Sequence, residues 1–320
     1  MVVVSRLLAA FAIVIASACL SACLTGRPQN GETVLAVDPV RTGQGGNDGP
    51  LAVVRARVDV QARAVDAFAV DAFVPRDADG AAIGERVLIV ILQERGVAIE
   101  RYYWLATHLA SRGYPAIVVD HFADAPLVEI DNGWLGFDAV RRAVRFNGAL
   151  KNVLPEEGAR AIVIGHGEGG RAAQDLWLRY ADVAHFIALG SVLAENVSPI
   201  VAKDGGEALC IVGSNDDRRP RMQAACTPSL ITLIEGGNHA LFADFPTAVE
   251  QRADGALVGD AAVLRRHALD FLDVWLDAKV RDDDAAKAAL ALIDEWIAAP
   301  SNEEKRQLVT RRFPDLGFGR

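Results

Sequence analysis

Apolar residues run along this chain in two alternating rhythms. Apolar runs at Val87–Leu92, Ala116–Val119, 161–164, 186–189, 209–212 and Leu230–Ile234 predict strands, and the continuous run at Val87–Leu92 has the signature of one covered on both faces. Between them, apolar positions recur at helical spacing. Tyr102, Leu105, Ala106 and Leu109 share one face of a helix that Gly113 stops, a second amphipathic helix covers 137–150, and 168–180 is helical. Ahead of these, 53–60 and 67–74 alternate or run apolar and predict two strands joined by a turn. Repeated strand–helix alternation predicts an α/β fold with a mostly parallel central sheet and helices on both faces.

Asp260 caps a further helix whose apolar face is Leu264, Ala268, Phe271, Leu272 and Trp275. Beyond Arg281 another helix carries Ala286, Leu290, Ile293 and Trp296 on one side and stops at Pro300, and Ser301 with Glu304 forms a capping box for a short last helix. These patterns divide the chain into an α/β domain over 51–280 and a C-terminal helical extension over 281–320.

The N-terminus follows another rule. Arg6 precedes an apolar stretch at 7–18, and Leu20-Ser21-Ala22-Cys23 comes next, the order of a targeting segment. The quartet resembles a bacterial lipobox more closely than Ala16-Ser17-Ala18-Cys19 does. That resemblance implies that 1–22 are a signal peptide, that Cys23 is lipidated, and that the protein is anchored in the bacterial envelope facing the periplasm. Leu24, where inner-membrane lipoproteins usually carry Asp, points to the outer membrane. An ordinary cleaved signal peptide is the alternative. Residues 23–50 are Gly-rich and polar (42–50 reads TGQGGNDGP), as expected of a flexible tether. No later apolar run is long enough to span a bilayer.

Composition narrows the picture. Of 320 residues, 51% are hydrophobic and 23% charged, enough for a sizeable core, and the formal charge of −9 argues against nucleic acid as a partner. With Cys19 removed and Cys23 acylated, Cys210 and Cys226 remain. An oxidising compartment permits a disulfide between them, worth about 3 kcal/mol in the chain-entropy model. Two buried thiols are an equal alternative, because Cys210 lies in an apolar strand.

The chemistry concentrates at Gly165-His166-Gly167-Glu168-Gly169, between an apolar strand and a helix start. Its frame is that of G-x-S-x-G, the turn that presents a catalytic Ser above a parallel sheet, with Gly167 in the Ser position. Two later strands end in Gly213-Ser214-Asn215-Asp216 and Glu235-Gly236-Gly237-Asn238-His239, so an acid and a base follow in triad order. These turns, with Gly236-Gly237-Asn238-His239-Ala240-Leu241-Phe242, resemble the α/β-hydrolase superfamily, specifically its dienelactone-hydrolase-like and acetylhydrolase-like esterases, over about 51–279. The resemblance implies Asp216 and His239 as triad remnants and Gly167 as a vacated nucleophile position. It also implies an oxyanion hole from the backbone of Glu168 and Gln93. Where the family carries a His-Gly pair, this chain has Gln93-Glu94-Arg95-Gly96. Losing the Ser costs roughly a million-fold in turnover, and an altered oxyanion donor about a hundred-fold more.

Gly165, Gly167 and Gly170 also spell the G-x-G-x-x-G dinucleotide fingerprint, but the next strand ends Ala188-Leu189-Gly190-Ser191 without the required carboxylate, so no cofactor is expected. His166, Glu168, Asp216 and His239 suit zinc by type, yet His166 and Glu168 diverge on a tight turn, and no metal is expected. His166 reads as a packed turn residue and Glu168 as a first-turn carboxylate favoured by the helix dipole. Asp217 is a substitute for Asp216, Ser191 a turn serine or relocated nucleophile, and Tyr102-Tyr103-Trp104 helix core and rim. The expectation is a lipid-anchored pseudo-hydrolase that binds a small ligand or protein partner. The alternative is a non-classical ester hydrolase using water activated by His239 and Asp216.

Overall fold

A computed structural model describes residues 33–40, 49–63, 66–79, 87–120, 160–193, 206–225, 230–244 and 255–298. The proposed signal peptide, Cys23, Cys226, the helix expected at 137–150 and the Ser301–Glu304 box lie outside them.

Strands β1 (Thr33–Val40), β2 (Ala52–Arg63) and β3 (Asp66–Arg76) form an antiparallel meander. They lead into β4 (Val87–Leu92), β5 (Ala116–Val119), β6 (Arg160–His166), β7 (Val183–Leu189), β8 (Ala208–Gly213) and β9 (Leu230–Ile234). Among the described residues these make one sheet in the order β1-β2-β3-β5-β4-β6-β7-β8-β9. Every pair from β5 to β9 is parallel, and β3 joins β5 antiparallel. The crossover that puts β4 between β5 and β6 leaves the ends of β4 and β6 side by side, with Leu92 opposite Gly165.

Strand β1 lies within the segment expected to be a tether. Its alternating Val34, Ala36 and Asp38 pair with β2 from Thr33↔Asp59 to Val40↔Val53. Pro39, which cannot donate to a ladder, is tolerated because β1 is the edge of the sheet.

The continuous apolar runs have the expected cause. On β4, Leu88, Val90 and Leu92 join one cluster with Ala172, Ala173, Leu176 and Trp177 of α2 (Glu168–Arg179). The alternate residues Ile89 and Ile91 are equally buried, so the strand is covered on both faces. Helix α1 (Tyr103–Ser111) is pinned to β3, where the Tyr103 hydroxyl donates to the fully buried Asp71 and its ring meets Phe73 edge-on at 5.1 Å. Cys210, fully buried on β8, is disulfide-bonded.

The remaining helices are α3 (Arg219–Ala225), α4 (Ala261–Lys279) and α5 (Asp284–Ala298). The chain divides into compact units Met1–Arg265 and Arg266–Arg320. The boundary read at 280 from the sequence falls later, at the end of α4, which runs through the division. Asp260 caps α4 as expected, its Oδ1 accepting the Ala262 N–H at 2.7 Å.

Candidate active site

The turn from β6 into α2 is built around Gly167, whose φ of +55° and ψ of −116° are unfavourable for any residue with a Cβ. Packing enforces the tightness. A Cβ at Gly169 would come within 2.5 Å of the carbonyl oxygens of both Leu92 and Gln93, so only Gly lets α2 begin this close to the end of β4. The result is a tight strand-to-helix turn with Gly167 at its apex.

The carboxylate of Glu94 fills the space that a side chain at position 167 would enter. A Cβ at position 167 would fall 1.2 Å from Glu94 Oε2. The same oxygen accepts the Glu168 N–H at 2.5 Å, the donor that in a serine hydrolase would stabilise the oxyanion. Burial pushes the Glu94 carboxyl above the usual carboxylate range, opposed by the nearby His239, by the Glu168 N–H and by Arg218. Arg95, the next residue, pairs instead with the exposed Glu168 carboxylate at 2.8 Å.

Asp216 and His239 come from the turns after β8 and β9. His239 opens a 3-10 turn, His239–Phe242, and Asp216 lies in the turn ahead of α3. Asp216 Oδ2 lies 3.5 Å from His239 Nδ1, with both side chains buried. Asp216 Oδ1 is committed to the Arg218 N–H at 2.8 Å, whereas Asp217 is exposed. On its other side His239 Nε2 lies 3.9 Å from Glu94 Oε2. Arg218 Nη1 is 2.7 Å from Nε2 and 3.1 Å from Nδ1 of the same ring, and 3.9 Å from Glu94 Oε1. Arg265 holds the turn that carries His239, donating to the carbonyls of Leu241 and Ala243 and pairing with Asp244.

His166 is packed beneath the site. Its ring stacks on His239 at 4.4 Å between centroids, Nε2 donates to the His239 carbonyl at 3.1 Å, and Nδ1 accepts from the Tyr102 hydroxyl at 2.8 Å. Complete burial, and next the proximity of His239, hold it well below the usual imidazole range, so it is neutral. Tyr102 in turn accepts the Glu94 N–H at 2.9 Å.

The structure therefore brings together Gly167, Glu168, Asp216 and His239. The Glu168 N–H is present but already occupied, and the neighbouring Glu94 N–H is taken by Tyr102. Gln93 turns its side chain to Asp120 at 2.9 Å, while its carbonyl backs the elbow at Gly169. Ser191 is a turn serine: fully buried, it shares its hydroxyl between the Gly165 and Leu189 carbonyls. Among the described residues no three His, Cys, Asp or Glu side chains are grouped to hold a metal. Sequence reasoning missed three residues. Tyr102, taken as helix core, is a hydrogen-bonding hub; Glu94 and Arg218 reach the site only because separate loops meet there.

No family model matches the sequence, and no curated protein does. Among solved structures, the chain is similar to a ferulic acid esterase from Streptomyces cinnamoneus, at 15% identity, 81% of this chain, 92% of that one and a TM-score of 0.52. A dienelactone hydrolase-like promiscuous phosphotriesterase from metagenomic libraries matches at 18% identity, 68% of this chain, 95% of that one and a TM-score of 0.49. The chain has the α/β-hydrolase fold, and at these identities the likeness concerns fold, so function has to be argued from the site.

Proposed function

We propose that the protein is a lipid-anchored pseudo-hydrolase: an α/β-hydrolase-fold domain that does not perform serine-type acyl transfer and whose pocket serves a small ligand or a protein partner. The observation that carries this reading is the Glu94 carboxylate lying where a nucleophile at 167 would begin and holding the Glu168 oxyanion donor. A carboxylate attacking an ester carbonyl forms an anhydride, which is more reactive than the ester it came from, so Glu94 does not replace Ser in that reaction. The anchor is assigned to Cys23 and the location to the periplasmic side of the envelope, in the outer membrane; the disulfide at Cys210 supports an oxidising compartment.

The test compares p-nitrophenyl butyrate hydrolysis by wild type, Gly167→Ser, Glu94→Ala/Gly167→Ser and His239→Ala. Wild type is expected to be silent, and Gly167→Ser nearly so while Glu94 remains. The double variant should gain on the order of ten-thousand-fold, the Ser contribution of roughly a million-fold being cut about a hundred-fold by the altered oxyanion loop after β4. Wild-type hydrolysis that His239→Ala abolishes would overturn the proposal. It would favour the second reading, ester hydrolysis by water activated at His239, for which the 3.5 Å approach of Asp216 speaks.

A further inference from the structure

The two edges of the sheet are finished differently. Strand β1 carries Asp38 and Pro39 and shifts register on β2 between Val34 and Ala36, the devices that keep an edge from pairing with another chain. Strand β9, at the other edge, reads Leu230-Ile231-Thr232-Leu233-Ile234, with no charge, no Pro and an unbroken register on β8. The Ser214 N–H donates to the Ile234 carbonyl at 2.9 Å, so the backbone of Ile234 faces β8, and by alternation so does that of Thr232. The N–H and C=O groups of Ile231 and Leu233 therefore point away from the sheet, and no other described residue hydrogen-bonds to them. Leu233 is 43% exposed, whereas Ile231 on the same face of the strand packs against the core. Just past β9, the 63% exposed Val258 is held by its N–H to the Gly236 carbonyl at 2.8 Å.

We propose that the β9 edge pairs with β9 of a second copy of this chain, antiparallel and about a two-fold axis at Thr232. The inference goes beyond the pseudo-hydrolase reading and does not rest on it. In this register Ile231 lies opposite Leu233 of the second copy, and the two exchange both N–H···O bonds. Thr232 meets its own counterpart as the closer, non-hydrogen-bonded pair. The residues that must bond outward are thus the two whose backbone already faces outward. Directly opposite residues share a face, so the exposed Leu233 is covered by Ile231 of the second copy. Charge permits the contact. Two chains of formal charge −9 repel each other, but β9 itself is uncharged. The Glu235 carboxylates that follow it end about 20 Å apart, beyond the roughly 8 Å screening length at physiological salt. A single strand pair buries less than the roughly 1,200 Å² of standard stable interfaces, so the dimer is weak in dilute solution and is favoured where chains share one membrane. Strand β1, which leads back towards the proposed anchor, lies at the opposite edge and is left clear.

Disulfide trapping of the full chain in membranes of expressing cells, with copper phenanthroline as oxidant and wild type as the background, tests the register. Thr232→Cys is expected to give a disulfide-linked homodimer, because the Cα atoms of a non-hydrogen-bonded pair lie about 4.5 Å apart, within disulfide reach. Leu233→Cys is expected to give none, since Leu233 and its counterpart are offset along the strands by more than about 8 Å. Adding Leu233→Lys to Thr232→Cys should cut the dimer at least about ten-fold, as a lysine on an edge blocks pairing, and the exposure of Leu233 lets the fold accept it. No dimer from Thr232→Cys, an equal dimer from Leu233→Cys, or a dimer that survives Leu233→Lys overturns the proposal. A disulfide adduct with a different chain in place of the homodimer overturns it too. Detergent-solubilised wild type should shift from monomer to dimer with concentration in sedimentation equilibrium, and a monomer up to about 100 μM would refute the pairing without recourse to variants. The p-nitrophenyl butyrate comparison reads a different site, so either conclusion can fail alone.

Discussion

The Tyr102 hydroxyl donates to His166 Nδ1 at 2.8 Å while accepting the Glu94 N–H at 2.9 Å. Through the His166 Nε2 bond to the His239 carbonyl, this pair ties the loop after β4 to the loop after β9 beneath the elbow. One fully buried phenol thereby fixes both Glu94 and the turn that carries His239.

Tyr102→Phe keeps the ring but leaves the Glu94 N–H and His166 Nδ1 without that partner. Urea denaturation should show a loss of roughly 1–3 kcal/mol, the cost of stranding buried polar groups. A loss near zero would mean that the hub does not hold the loops.

His166 makes stability depend on acid. Its folded-state pKa is depressed well below 6.5, so the unfolded chain binds the proton more readily between the two values. Stability conferred by the neutral ring is complete above the unfolded value and is lost as pH falls below about 6.5. Thermal denaturation across pH 7.5 to 5 should show this decline, and His166→Gln should flatten it even if that variant is less stable overall.

Glu94 acts in the opposite sense. Its folded-state pKa is raised, so the folded chain binds the proton more tightly, and the ionised carboxylate costs stability above that value. Glu94→Gln retains an acceptor for the Glu168 N–H and removes the buried charge. The variant should melt higher than wild type at neutral pH, with the gain shrinking as pH falls through the raised value. An equal gain at all pH values would contradict the assignment.

Non-reducing peptide mapping should join Cys210 to Cys226. Reduction should then lower stability by about 3 kcal/mol, the loop-closure value for a bridge of this span. A peptide linking Cys210 to Cys19 or Cys23 would exclude lipidation of the mature chain in the form proposed.

Much of the architecture was legible because β4 to β8 are covered on both faces, and runs such as Val87–Leu92 carry no polar interruption; β9, at the sheet edge, leaves Leu233 exposed. Gly167, Asp216 and His239 were legible because each follows a strand end in a fixed order. Strand β1 was not: Thr33–Val40 contains Asp38 and Pro39 and is followed by Gly-rich sequence, so only its pairing with β2 marks it as strand. Glu94 reads in the sequence as a charged residue after a strand. Its approach to Gly167 depends on two loops 74 residues apart meeting at the elbow. Arg218 was hidden for the same reason, its partner His239 lying 21 residues away.

The edge strand also sets a distance. Ten residue steps separate Cys23 from Thr33, the first residue of β1, and at full extension they span at most about 35 Å. A chain held by lipid at Cys23 therefore keeps the margin of its sheet within about one bilayer thickness of the membrane surface.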